Sequence, residues 1–264
     1  QFSHQNRTTD FALTQGTMYT AGGFYYQGGV DMDLVSQMNT FVVWGHNPIV
    51  SWPNAWHYIA DAIENNDCKL IVVDPNKNTI GQKADLFVSL QPGTDAALAL
   101  GLAKIIEEEG KTDDAFMQQK SCAPFLVKES DGLFLRKSEL EEGVTPEADD
   151  FAVWDEATNA LGYASTAQNP ALRKKGIEVA GQRCDTAYSL LIDRINEYPI
   201  EMVSEVTTVP EETIRAFADL LCRPGMADIF QGYGIDHYGH GFNTIAAVSV
   251  LRIMRGMVPV SYTH

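Results

Sequence analysis

The chain has 264 residues, 45% of them hydrophobic, and 35 acidic against 19 basic side chains give it a formal charge of −16. That length and apolar share suffice for a sizeable core, as one large domain or two small ones. The negative balance argues against nucleic acid or an anionic membrane surface as partner, since both call for basic patches, but it leaves room for an anionic cofactor held by backbone N–H groups.

No apolar run reaches the ~18 residues of a membrane span, so direct membrane insertion is not expected. No leader sequence is visible at Gln1, which does not look like a natural start. Residues 1–34 form a lead-in rich in Gly, Thr, Gln and aromatics, with Gly22-Gly23 and Gly28-Gly29 interrupting any regular element. Tyr25, Tyr26 and the four tryptophans read as core or rim aromatics.

Thr40 to Trp44 is an apolar strand followed by Gly45-His46-Asn47-Pro48, whose plainest reading is an Asn/Pro turn. A helix over about Asn54 to Asn65 carries Trp56, Ile59, Ala60 and Ile63 on one face. Leu70 to Val73 is a continuous apolar run, as expected for a strand buried on both faces of a parallel sheet. It stops at Asp74-Pro75, which sets a carboxylate at the strand's carboxyl end. Open α/β sheets bind ligands at that edge, and an acid there commonly meets ribose hydroxyls.

After a short strand near Leu86 to Ser89, Pro92-Gly93-Thr94-Asp95 opens an alanine- and leucine-rich helix running to about Glu109, with Gly110 as its C′ residue. Such a helix start offers free backbone N–H groups and a carboxylate able to accept paired donors, such as guanine's N1–H and amino group. Taken singly, Asp-Pro is a turn and Thr-Asp a helix cap. Their combination points to a nucleotide site.

Thr112 to Gln119 predicts a short helix, and residues 121–199 read as an insertion of short strands and loops, with Phe151 to Asp155 an isolated apolar strand. Thr186 to Asn196 is amphipathic, and Pro210 to Leu221 is a helix with Glu211 and Glu212 in its first turn. Ala227 to Phe230 returns to the sheet and leads into Gly232-Tyr233-Gly234, then a helix through Ile245, Val248, Leu251 and Met254. As a phosphate loop this G-x-G turn is weak, lacking the third glycine of the dinucleotide fingerprint. Strands alternating with helices predict an α/β fold: a parallel-rich, Rossmann-like sheet with helices on both faces and a short-stranded insertion.

Cys68, Cys122, Cys184 and Cys222 are scattered and offer neither a zinc spacing nor an iron–sulfur ligand set. His237 and His240 read as turn histidines rather than as metal ligands, and no G-x-S-x-G elbow is present.

From Leu70 to Gly110, the order strand, Asp74-Pro75, Thr79, Ala84-Asp85 and Pro92 to Leu100 closely resembles the molybdopterin oxidoreductases of the dimethyl-sulfoxide-reductase superfamily. Trp154-Asp155, Pro170-Ala171-Leu172 and Thr208 to Arg215 extend the resemblance, which covers about residues 35–258. Asn76 departs from it, standing where the family often has Arg after Asp-Pro.

The resemblance implies a cofactor domain over 35–120 and 200–258. It assigns cofactor binding to Gly45, His46, Asn47, Asp74, Pro75, Gly93, Thr94, Asp95, Gly232, Tyr233 and His237. The implied cofactor is bis-molybdopterin guanine dinucleotide with molybdenum or tungsten, serving two-electron redox or oxygen-atom chemistry on a small-molecule substrate. It further implies that this chain is an internal fragment of the catalytic subunit. A 4Fe-4S cluster would belong only to a segment preceding it, and an iron–sulfur electron-transfer subunit is an implied partner. No motif places catalytic residues or the protein ligand to the metal. Two other classes share the alternating pattern: an enzyme using NAD or thiamine diphosphate, and a non-catalytic domain that keeps the fold.

Overall fold

The computed structural model describes residues 16, 20 and 32–257. The expectations for Gly22-Gly23, Tyr25, Tyr26 and Gly28-Gly29 lie outside the described residues. Contacts divide the chain into two compact units, residues 1–112 with 198–264 and residues 113–197.

In the first unit, helix α1 (Met32–Val35) precedes β1 (Thr40–Trp44), in which every residue is buried. Pro48 and Pro53 each stand at a first helical position, where a missing N–H costs nothing, and start α2 (Pro48–Ser51) and α3 (Pro53–Asn65). Strand β2 (Lys69–Val73), strand β3 (Leu86–Val88) and helix α4 (Asp95–Glu108) follow. Gly110 closes α4 with a positive φ of 62°, the conformation expected at C′.

Within the second unit, α5 (Asp114–Lys120) leads into β4 (Leu126–Lys128), β5 (Ala152–Asp155), β6 (Ala160–Tyr163), β7 (Ile177–Val179), β8 (Gln182–Thr186) and α6 (Ala187–Asn196). β4, β8 and β7 form an antiparallel sheet over a core of Leu126, Leu135, Ile177 and Cys184. The strand expected to stand alone at Phe151 to Asp155 instead pairs with β6 as a hairpin, Trp154 opposite Leu161. The partner was hidden because Ala160 to Tyr163 is only four residues long, largely exposed and interrupted by Gly162.

The first unit resumes with α7 (Ile200–Thr207), α8 (Glu211–Leu221), β9 (Ala227–Gln231) and α9 (Gly241–Met254). Its sheet runs β3-β2-β1-β9 and every neighbouring pair is parallel. Because side chains alternate along a strand, Phe41, Val43, Leu70, Val72 and Phe230 share one face and bury Ile59 and Ala62 of α3. On the other face Trp44 meets Phe217 of α8, with ring centroids 5.7 Å apart, and α4 packs against α7, α8 and α9. Helices therefore cover both faces, which is what the unbroken apolar strands require.

The chain builds outward from β1 through β2 to β3, then returns by α4, α7 and α8 to lay β9 on β1's other side. The direction of winding thus reverses between β1 and β9. In an open α/β sheet that reversal parts the connections at the carboxyl ends and leaves a crevice there. No described helix is long and apolar enough to cross a membrane.

Candidate functional site

The turns after β1 and β9 meet at this reversal. The carbonyl of Trp44 accepts from the Gly232 N–H at 2.9 Å, and that of Gly45 accepts from the Gly234 N–H at 3.0 Å. Gly45 sits at φ +59°, and a Cβ there would lie 2.7 Å from Ile235. A Cβ on Gly232 would overlap the Gly45 carbonyl and come within 2.5 Å of the His46 Cβ. Two backbones approach this closely only without side chains at either position, so the glycines are what the junction requires.

Asn47 follows, its Oδ1 buried and without a hydrogen-bond partner among the described residues. Burying an unsatisfied amide oxygen is costly, and a donor supplied by a ligand would remove that cost. His46 turns away into packing: its ring stands edge-on to Phe230 at 5.1 Å, with Nε2 3.5 Å from the Ser51 hydroxyl. Burial lowers its pKa to about 4, so the imidazole is neutral at neutral pH.

Asp74 ends β2, and its Oδ1 accepts from the Asn76 N–H at 2.8 Å, the local turn that Asp-Pro predicts. Partial burial raises its pKa. Pro75 beside it is exposed.

Gly93 takes φ +83°, and a Cβ there would come 3.4 Å from the ring of Tyr238. Thr94 occupies the N-cap of α4 without capping it, its hydroxyl donating instead to the Gln91 carbonyl at 2.6 Å. Asp95 is the first helical residue and only 3% exposed. The Trp44 indole N–H donates to its Oδ1 at 2.8 Å. Burial raises the Asp95 pKa, the Trp44 bond opposes that, and the charge of Asp74 adds to the rise. The two acids therefore lie near enough to feel one another.

Beyond β9, a 3-10 turn spans Tyr233–Ile235, and Tyr233 stacks on His237 just after it with centroids 6.0 Å apart. Every sequence-predicted residue thus belongs to one of four turns at the carboxyl edge of the sheet. Two residues were missed. Trp44 looked like a core aromatic because its partner stands 51 positions later, and Tyr238, 39% exposed against Gly93, had no motif to mark it. Among the described residues no cluster of three or more His, Cys, Asp or Glu could hold a metal ion.

The arrangement sets two acids, Asp74 and Asp95, and the unsatisfied amide oxygen of Asn47 at the carboxyl edge of the sheet. The model of the molybdopterin oxidoreductase family matches residues 5–263. The chain is 29% identical over 204 residues to the catalytic subunit of a putative dimethyl sulfoxide reductase of Halobacterium salinarum, covering 76% of this chain and 24% of that protein. It is 26% identical over 222 residues to the alpha subunit of the dimethylsulfide dehydrogenase of Rhodovulum sulfidophilum, covering 80% and 24%. Among solved structures, acetylene hydratase from Pelobacter acetylenicus shares the fold with a TM-score of 0.62 at 19% identity, over 95% of this chain and 25% of that one. The chain spans about a quarter of the length of these relatives.

Proposed function

The chain belongs to the molybdopterin oxidoreductase family, and from that premise we propose that it is the nucleotide-holding part of a larger molybdenum- or tungsten-dependent oxidoreductase whose pterin cofactor ends in guanine dinucleotide. The observation that carries this reading is the junction of Gly45 with Gly232 at the reversal of strand order, flanked by the unsatisfied Asn47 oxygen and the buried carboxylate of Asp95.

These residues fit the group. Gly45, Gly232 and Gly234 let the turns after β1 and β9 close on one another beside the crevice, where the pyrophosphate would lie. Asp74 stands where a ribose hydroxyl would meet a carboxylate, and Asn47 would accept a donor from the cofactor. Asp95 offers an anionic acceptor for guanine's adjacent N1–H and amino group, a donor pair that adenine's edge lacks. Thr94, Tyr233 and His237 border the same turns, and His46 and Pro75 shape them. The cofactor, when bound, supplies two-electron redox or oxygen-atom chemistry; these residues supply its orientation.

Of the relatives above, the reductase chain is a catalytic subunit and the dehydrogenase chain an alpha subunit. We therefore assign this chain to the catalytic subunit of an assembly in which a further subunit, of iron–sulfur electron-transfer type, serves as redox partner. Cofactor contacts are assigned to residues 35–120 and 200–258, with 121–199 as an insertion that adds none. Acid hydrolysis of the purified full-length holoenzyme tests the reading. One GMP released per pterin supports it; AMP, or no nucleotide, rules it out.

A further inference from the structure

Asp95 reaches the site with one carboxylate oxygen already engaged. An ionised carboxylate has about four acceptor positions. One of them, on Oδ1, is taken by the Trp44 indole N–H at 2.8 Å. Among the described residues the indole is the sole side-chain donor to this carboxylate, and it comes from the end of β1, 51 residues earlier in the chain.

We infer that Trp44 is a positioning residue for base selection: by holding Oδ1 of Asp95, it presents the other oxygen alone to the ligand. The inference rests on the reading of Asp95 as the base-binding acid. It differs from a carboxylate gripping two base donors in parallel, because one of the two oxygens is committed to the protein. It also gives a reason why a tryptophan, with its single N–H donor, closes the buried strand after Phe41, Val42 and Val43.

Without the indole, Asp95 would be free to rotate, and the anion would lose a bond that favours it over the neutral acid. Asp74, from the turn after β2, is the one charged neighbour among the described residues that acts on Asp95.

The test uses cofactor-free full-length enzyme with GDP and ADP as probes, titrated calorimetrically from neutral pH down into the acid range. The unaltered enzyme should prefer GDP, with binding weakening on the acid side as Asp95 protonates. Trp44→Phe should weaken GDP by about tenfold or more while leaving ADP nearly unchanged. The acid limb of GDP binding should also move to higher pH, which a loss of packing alone would not produce. Benzothienylalanine at position 44 keeps the ring's volume and removes only the N–H, so the test stands even where Trp44→Phe fails to fold. Unchanged selectivity and acid limb in the analogue, with GDP preference intact in the unaltered enzyme, would overturn the role of Trp44 alone. An unaltered enzyme indifferent to the base would overturn the base site and, with it, this inference.

Discussion

At the scale of single residues, the site is governed by what a position cannot hold. Gly232→Ala inserts a methyl into the Gly45 carbonyl and to within 2.7 Å of the His46 Nδ1. Overpacking of this kind costs about 1–3 kcal/mol, so the denaturant midpoint should fall and cofactor content fall with it. An unchanged midpoint would show that the two turns do not press together. His46 gives a second test. Its folded pKa of about 4 lies below the 6.5 of an unperturbed histidine. Between those values the unfolded chain binds more protons, so this residue's contribution to stability declines as pH falls through 6.5 toward 4, by up to about 3 kcal/mol. Asp228, raised to about 6 by burial, acts in the opposite sense below pH 6 and is common to both proteins compared. His46→Gln should therefore lose less stability than the unaltered protein between pH 7 and pH 4.5, by chemical denaturation at each pH. Identical slopes would mean that His46 is not buried neutral. His46 was legible as a residue of the turn, but its ring's direction was not, because the Phe230 it packs on lies on a strand far along the chain.

Among the elements, the strands that carry the site could be read from sequence because burial on both faces forces unbroken apolar runs at Thr40–Trp44 and Lys69–Val73. The exposed hairpin strand β6 and the short helix α7 could not, since neither has a long periodic apolar face. Helix packing sets a further test at Gly101, in the interior of α4. Alanine ordinarily stabilises such a position by about 1 kcal/mol. Here its Cβ would lie 2.8 Å and 3.0 Å from the two methyls of Val203 on α7, a buried β-branched side chain with little freedom to turn. Gly101→Ala should therefore lower the melting temperature, and Val203→Ala in that background should recover part of the loss. A rise in melting temperature for Gly101→Ala alone would show that α4 and α7 are farther apart than described.

For the whole molecule, the candidate site follows from sheet order, which no local motif states. Asp74-Pro75, the Gly93 turn and the Gly232 turn are each commonplace; parallel pairing of β2, β1 and β9 with reversal between the last two makes them neighbours. The family resemblance anticipated that convergence, whereas the indole anchoring Asp95 had to await three-dimensional contacts. The central claim is that these four turns hold one nucleotide. Hydrogen exchange of the full-length enzyme, with and without its cofactor, tests it most directly. The account predicts slowed exchange on cofactor binding over residues 45–47, 93–95 and 232–237, at the amide of Asp74, and none over 121–199. Slowing confined to 121–199, or absent from the Gly45 and Gly232 turns, would contradict it.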